Sequence, residues 1–357
     1  MKNYQKLVLI LVFVCAINEC FAQETSSIHD FVKAKVDSIF MKAKLPGILV
    51  VLNDGKKNEL YTNGYANLDT KKLFDLNTIF EAGSITKTYT AFVVACVLRD
   101  NKINESASIV EFLPDSLRAN KSLAHITFLH LLNHTSGLPR LPSNFDIEEG
   151  DMQPYKLYTE KKLFAYLITA EIKNENKNVY SNLGNALAGV LAARIAKKPY
   201  QKLLKQYVFT PFKMKDEEKD LLKNKSQGYF VENAKVDYWD MNVLSPAGGL
   251  KCSAAEMIKY LQNISNPTNE ATKKIVDSLL SPTVTLNPKI RIARAWHTYE
   301  QKSKPIVYWH NGGTYGFSTF VGFVRGTNKK VVIVINRFSE NTTADFIGIS
   351  VMKKLTE

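Results

Sequence analysis

The stretch Ser84 to Leu98, SITKTYTAFVVACVL, decides how this chain is read. Tyr89, Phe92, Val93 and Cys96 recur at three- and four-residue intervals, which predicts a helix with one buried face. Ser84 and Lys87 stand at its start, three residues apart and so on one face. An amine in that place can take the serine proton. To do so near neutrality Lys87 must give up most of its charge, a differential of roughly 4 kcal/mol, and burial and the positive helix end both push that way. The N–H of Ser84 can also receive a developing oxyanion, a contact worth roughly 3 kcal/mol. Ser-x-x-Lys occurs on surface helices of any lysine-rich chain, however, so the chemical reading needs more support.

Two further stretches supply it. Tyr180-Ser181-Asn182 follows the polar run 173–178 and precedes an apolar segment beginning near Leu183, which places all three at a loop-to-helix junction. A phenol there can relay protons and an amide can hold a substrate carbonyl; equally, Ser181 or Asn182 can cap the helix. His310-Asn311-Gly312-Gly313 ends a predicted strand over 306–309. Its glycines permit close backbone approach to a ligand, and the Gly313 N–H can act as a second oxyanion donor. The alternative is an ordinary β-turn.

Working outward, residues 24–43 have helical spacing and end before Pro46-Gly47. Residues 48–52 and 59–66 read as a hairpin turning at Asp54-Gly55. Helices are expected at 126–134, 160–171, 183–197 and 200–208, and Ser253 to Glu256 has capping-box spacing after Pro246-Ala247-Gly248-Gly249-Leu250. Residues 305–309, 318–324 and 331–336 read as strands and 343–355 as a closing helix. The order predicts an α/β (α+β) fold, with one lobe built from about 23–82 and 245–357, an inserted helical lobe at about 83–244, and the active site in the cleft between them.

Ser84-Ile85-Thr86-Lys87, Tyr180-Ser181-Asn182 and His310-Asn311-Gly312 together resemble, in order and spacing, the three motifs of the serine β-lactamase and penicillin-binding-protein family. The Tyr-x-Asn form is similar to class C β-lactamases, DD-carboxypeptidases and related esterases and D-aminopeptidases. Ile126-Thr127, the run His130 to Leu138, Pro246 to Leu250 and His310 to Phe317 add to the likeness, which extends from about residue 27 to the C-terminus. The resemblance implies an antiparallel sheet flanked by helices, Ser84 as nucleophile, Lys87 and Tyr180 as the proton-transfer pair, and Asn182 as a substrate ligand. It also implies an oxyanion hole of Ser84 and Gly313 N–H groups, beside a strand carrying His310, Asn311 and Gly312, with no metal or cofactor. One departure bears on substrate: class C enzymes usually carry Lys-Thr-Gly where this chain has His-Asn-Gly, so a titratable imidazole replaces a fixed cation. The implied substrates are a D-alanyl peptide first, then a β-lactam or a short acyl ester; a penicillin-binding sensor that does not turn over is the reading from another class.

The remaining features bound the setting. Lys2 and Lys6 precede an apolar run, Leu7 to Ile17, too short to span a bilayer, and Cys20-Phe21-Ala22 predicts signal-peptide cleavage after Ala22. Residues 23–357 are then an exported, periplasmic or secreted domain with no transmembrane anchor. Neither Cys15 nor Cys20 has a lipoprotein context. Of the four cysteines, Cys96 and Cys252 remain, enough for one disulfide, although Cys96 in an apolar helical run reads as a buried thiol. The net charge of +13 is spread over scattered pairs such as Lys161-Lys162, Lys197-Lys198 and Lys329-Lys330. These read as solvated surface, with association to anionic cell-wall material the sharper alternative. Nothing resembles a nucleic-acid-binding motif. His130 and His134 are four apart but lack the Glu of His-Glu-x-x-His, so a role beside the Thr135-Ser136-Gly137 turn is preferred to zinc; no Gly-x-Ser-x-Gly surrounds Ser84 or Ser136. Trp296 and Tyr315 are candidates for either the cleft wall or ordinary packing.

Overall fold

A computed structural model describes residues 27–173 and 176–357. The apolar leader, its cleavage site, Cys15 and Cys20 lie outside the described residues. Helix α1, Ile28–Ala43, is capped by Ser27, whose hydroxyl accepts from the Asp30 N–H at 3.1 Å. The predicted hairpin follows as β1, Gly47–Asp54, and β2, Asn58–Gly64, paired antiparallel from Gly47 with Gly64 to Asn53 with Asn58.

Six later strands complete the sheet: β3 Val284–Asn287, β4 Ile290–Ile292, β5 His297–Tyr299, β6 Val307–Gly313, β7 Ser318–Val324 and β8 Lys329–Ile335. Their order is β2-β1-β8-β7-β6-β5-β4-β3 with every pair antiparallel, so an N-terminal strand closes onto the last one through Ile48 with Ile335 and Val50 with Ile333. Alternation along β1 divides the core in two, as a two-residue period requires. Ile48, Val50 and Leu52 pack with Val32 and Val36 of α1 and with Ile347 and Val351 of the closing helix α4, Asn341–Leu355. Leu49 and Val51 point the other way, into a larger cluster with Phe80, Tyr89 and Leu187.

That second face carries the helices. A 3₁₀ turn, Gly83–Ile85, leads into α2, Thr86–Asp100, which packs against α3, Asn182–Ala196. The expected helix at 126–134 is shorter, Phe128–Leu132, begun by Thr127 and His130 exchanging backbone-to-side-chain bonds. The one at 200–208 passes from an α-helix, Tyr200–Leu204, into a π turn, Lys205–Phe209. Ser253 caps Ala254–Ser265 as expected, but the box is half made: the Glu256 carboxylate accepts from Lys215 N–H and Lys259 Nζ instead of reaching back.

Several expectations are corrected. Strands β3 to β5 and the helix Glu270–Leu280 carry no sequence expectation; the strands are three or four residues long and β3 is largely exposed, whereas the helix buries Ile275, Val276, Leu279 and Leu280 at helical spacing. His310 to Gly313 are not a turn: they end the strand as expected but continue its ladder, as the last four residues of β6, paired with Phe320, Thr319 and Ser318 through Asn311, Gly312 and Gly313. Lys330 is not solvated surface: it is fully buried, with Nζ donating to Gln262 Oε1 at 2.5 Å. Trp296 belongs to the core, edge-on to Phe323. The buried-thiol reading of Cys96, by contrast, holds, and Cys252 is likewise a buried free thiol.

Candidate active site

Ser84 stands in the 3₁₀ turn just ahead of α2, and Lys87 is fully buried in the first turn of α2. Gly83 makes the turn possible: its φ of +55° is left-handed, and a Cβ there would lie 2.7 Å from the backbone nitrogen of Gly313. Gly312 is as tightly constrained, since its Cβ would meet Ala82 O at 2.1 Å and Ser84 N at 3.0 Å. The two glycines therefore let β6 lie directly against the start of α2, bringing the Ser84 and Gly313 backbone nitrogens to one place. Thr86 Oγ1 donates to Gly83 O at 2.6 Å and accepts from the Leu250 N–H at 3.1 Å, tying the turn to the Pro246–Leu250 segment.

The same segment holds the lysine. Lys87 Nζ donates to Ala247 O at 2.7 Å and lies 2.9 Å from Ser84 Oγ. Burial, reinforced by the positive charge of Arg140, holds its amine well below the ordinary lysine range. Nζ also sits 4.9 Å from the centre of the Tyr180 ring, which lines the cleft together with Ser84. Burial pushes the Tyr180 phenol up to about 12, against smaller lowering effects from Ser84 and Arg140. The pair is thus an amine disposed to be neutral beside a phenol disposed to keep its proton.

At the second motif the capping and ligand readings are divided between neighbours. Ser181 caps α3, its Oγ accepting from Gly184 N–H at 2.8 Å and donating to Pro139 O at 2.6 Å. Asn182 is left with Oδ1 buried and without a hydrogen-bond partner at the cleft wall. His134, at φ +63°, accepts from the Ser181 N–H through Nδ1 at 3.2 Å and packs its ring on Tyr180, centroids 4.4 Å apart. It braces the second motif, while His130 stays with its own helix cap. Among the described residues no group of three or more His, Cys, Asp or Glu side chains is placed to hold a metal ion.

Alternation along β6 separates the third motif. His310 is fully buried on the side of α2, its Nδ1 2.5 Å from Asn311 O and its Nε2 without a partner. Burial first, then His297 and Lys87, holds it far below the ordinary imidazole range, so it stays neutral and does not line the cleft. The expected titratable replacement for a lysine is therefore a neutral support behind the strand. Asn311 points toward α4 and donates from Nδ2 to both oxygens of Asp345, at 3.0 and 2.7 Å. Asn341 Nδ2 donates to Gly312 O at 2.6 Å. Strand β5 pairs with β6 only from Val307 to Trp309, so that edge of 310–313 faces the cleft unpaired.

The cleft has a volume of about 510 Å³. Ser84, Tyr180 and Asn182 line it together with Asn311, Gly312 and Gly313. An aromatic wall continues outward through Tyr155, Trp239 and Tyr315, with adjacent centroids 4.9 Å apart, so Tyr315 takes its cleft reading. Behind it Glu81 accepts from the Trp239 N–H at 2.6 Å and Thr314 Oγ1 at 2.8 Å, and burial raises its carboxyl to about 7. Sequence reasoning missed Arg140, Tyr155, Trp239, His297 and Asn341, all of which line the cleft. None sits in a spacing that points to chemistry; the structure alone assembles them.

A buried amine beside a serine hydroxyl, in a turn packed against the glycines of β6 at the wall of a cleft, fits the class of an active-site serine hydrolase. The chain belongs to the Beta-lactamase family, whose model matches residues 28–351. A β-lactamase of Pseudomonas fluorescens is 27% identical over 248 residues, covering 68% of this chain and 66% of that protein, so the match spans just under two thirds of the relative's length. Among solved structures, a class C β-lactamase from Rhodobacter sphaeroides superposes with a TM-score of 0.77 at 19% identity, covering 90% of this chain and 99% of that one. A β-lactamase/D-alanine carboxypeptidase from Pseudomonas syringae gives 0.77 at 20% identity, covering 92% and 99%. The fold is that of β-lactamases and DD-peptidases. No helix among the described residues is long and apolar enough to cross a membrane.

Proposed function

We propose that this protein hydrolyses the terminal amide of a D-alanyl peptide through an acyl-enzyme on Ser84. The observation that carries the reading is Lys87: a buried amine 2.9 Å from Ser84 Oγ, with one N–H committed to Ala247 O. When neutral, its lone pair faces the serine hydroxyl and takes that proton as Oγ attacks the substrate carbonyl carbon. The carbonyl oxygen gains the charge and is met by the N–H groups of Ser84 and Gly313. As the C–N bond breaks, the Tyr180 phenol gives its proton to the departing amine and is refilled from Lys87. A water molecule then attacks the ester carbon, losing a proton to the same pair, and the Ser84 oxygen leaves with a proton restored. Asn182 Oδ1, buried and unpaired, accepts a substrate N–H.

The peptide is preferred to a β-lactam because His310 is neutral and buried where the β-lactamase pattern has a lysine, and the similar Pseudomonas syringae protein is a D-alanine carboxypeptidase as well as a β-lactamase. Periplasmic or secreted placement, the division into a sheet lobe and a helical lobe, and contact with the cell wall belong to the same proposal. A fluorescent penicillin should label the wild-type protein on the peptide containing Ser84, and a D-alanyl-D-alanine peptide should release D-alanine. Absence of both labelling and release overturns the reading; labelling that never decays makes the protein a penicillin-binding sensor.

A further inference from the structure

The charged side chain lining the cleft is Arg140, and no Asp or Glu lines it. Its backbone is fixed: the Arg140 carbonyl accepts from the N–H groups of Asn182 and Leu183, at 3.1 and 3.2 Å, so the residue is clamped to the start of α3. Its guanidinium lies over the Tyr180 ring, 5.3 Å from the centroid, while Lys87 Nζ is 4.9 Å from that same centroid. The amine and the guanidinium are therefore gathered around one phenol, with Lys87 buried and Arg140 exposed on the open side of it. Among the described residues no carboxylate forms an ion pair with Arg140 and its side chain donates no hydrogen bond.

A guanidinium beside a catalytic phenol, its N–H groups without a protein partner among the described residues, is a fork open to a planar anion. Asp345 is not that anion, since both of its oxygens accept from Asn311, and the buried, neutral His310 offers no competing cation. Resting on the proposed acyl-enzyme chemistry, we infer that Arg140 binds a carboxylate of the substrate and makes the enzyme selective for anionic substrates. It takes over the task of the lysine absent from position 310, from the opposite wall of the cleft.

The carboxylate can lie on the acyl half or on the leaving group, and two matched pairs separate these sources. One pair is p-nitrophenyl esters of a six-carbon acyl chain ending in a carboxylate or in a methylamide. The other is a D-alanyl-D-alanine peptide and its C-terminal amide. Wild type should favour the anion in at least one pair by about 10-fold or more in kcat/KM, mostly through KM, and 0.5 M salt should shrink the ratio. Arg140→Ala should bring that ratio to about one, and Arg140→Lys should keep part of it. Fluorophosphonate labelling of Ser84 in each variant verifies that the nucleophile is intact. A wild-type ratio near one in both pairs, or a ratio that survives in Arg140→Ala, overturns the inference for Arg140 while leaving Ser84 in place. Failure of every substrate and of labelling strikes at the acyl-enzyme reading itself.

Discussion

Among the described residues two lysines are completely buried, and they do opposite things. Lys87 meets a serine hydroxyl and a backbone carbonyl at the start of α2; Lys330 lies in β8 and donates to the side-chain oxygen of Gln262. Burial depresses both amines, Lys330 to about 8 and Lys87 well below the ordinary lysine range, where Arg140 adds to the effect. Depression alone therefore makes no base. What distinguishes Lys87 is that its neighbour carries a proton worth taking and opens onto a cleft, whereas Gln262 Oε1 has no proton to give.

The largest test of that contrast compares Lys87→Ala with Lys330→Met. Acyl-adduct formation, followed with a fluorescent penicillin, should fall by roughly 10²–10⁴ in the first and stay within about two-fold of wild type in the second. Because the Lys87 amine must be uncharged to act, wild-type acylation should also decline as pH falls through an apparent pKa belonging to Lys87 and Tyr180 together. Wild-type labelling by Lys87→Ala would end its role as base, and equal loss in Lys330→Met would erase the contrast.

The same pair shows what could be read from sequence. Lys87 was legible because Ser84, three residues before it, turns a common residue into a pattern, and Tyr180, Asn182 and Gly313 repeat that pattern's logic elsewhere. Lys330 was not: a Lys-Lys pair looks solvated, and the period-two alternation that buries one member appears once β8 is seen between β1 and β7. Arg140 is invisible for a similar reason, since its meaning comes from the Tyr180 ring forty residues away. The hairpin, α2, α3, β7 and α4 announce themselves by length and periodicity, while three-residue strands such as β4 and β5 are too short for any period to register. His310 was recognised by position, yet its neutrality depends on being enclosed beside His297 and Lys87.

A second test concerns stability. The unfolded chain holds a proton on Lys330 up to about 10.5, the folded chain up to about 8. Between those values the unfolded state binds more protons, so this residue makes stability rise with pH across 8–10.5; below 8 its cost is fully present, on the order of 3 kcal/mol. Lys330→Met should remove that slope in denaturant titrations and, after subtraction of the lost Gln262 bond, be more stable than wild type at pH 7 by about 1–2 kcal/mol. A wild-type slope retained in the variant would assign it to another group.

The smallest effect isolates the partner. Gln262→Leu strips Lys330 of its acceptor and also removes the exposed bond from Gln262 Nε2 to Asn328 Oδ1, 2.9 Å long. An unpaired buried ammonium should cost about 1–2 kcal/mol at pH 7, with the folded-state pKa of Lys330 falling further. In Lys330→Met/Gln262→Leu that part of the loss should vanish, because no buried charge is left to satisfy; the surface bond to Asn328 is lost equally on both sides of the cycle and cancels. A coupling energy near zero would mean that the bond to Gln262 does nothing to offset the burial of Lys330. Lys87 permits no such cycle at Ala247, because its acceptor there is a backbone carbonyl that substitution cannot delete. An amine anchored on main chain keeps its position whatever side chain stands at residue 247, and that permanence is what a base aimed at Ser84 requires.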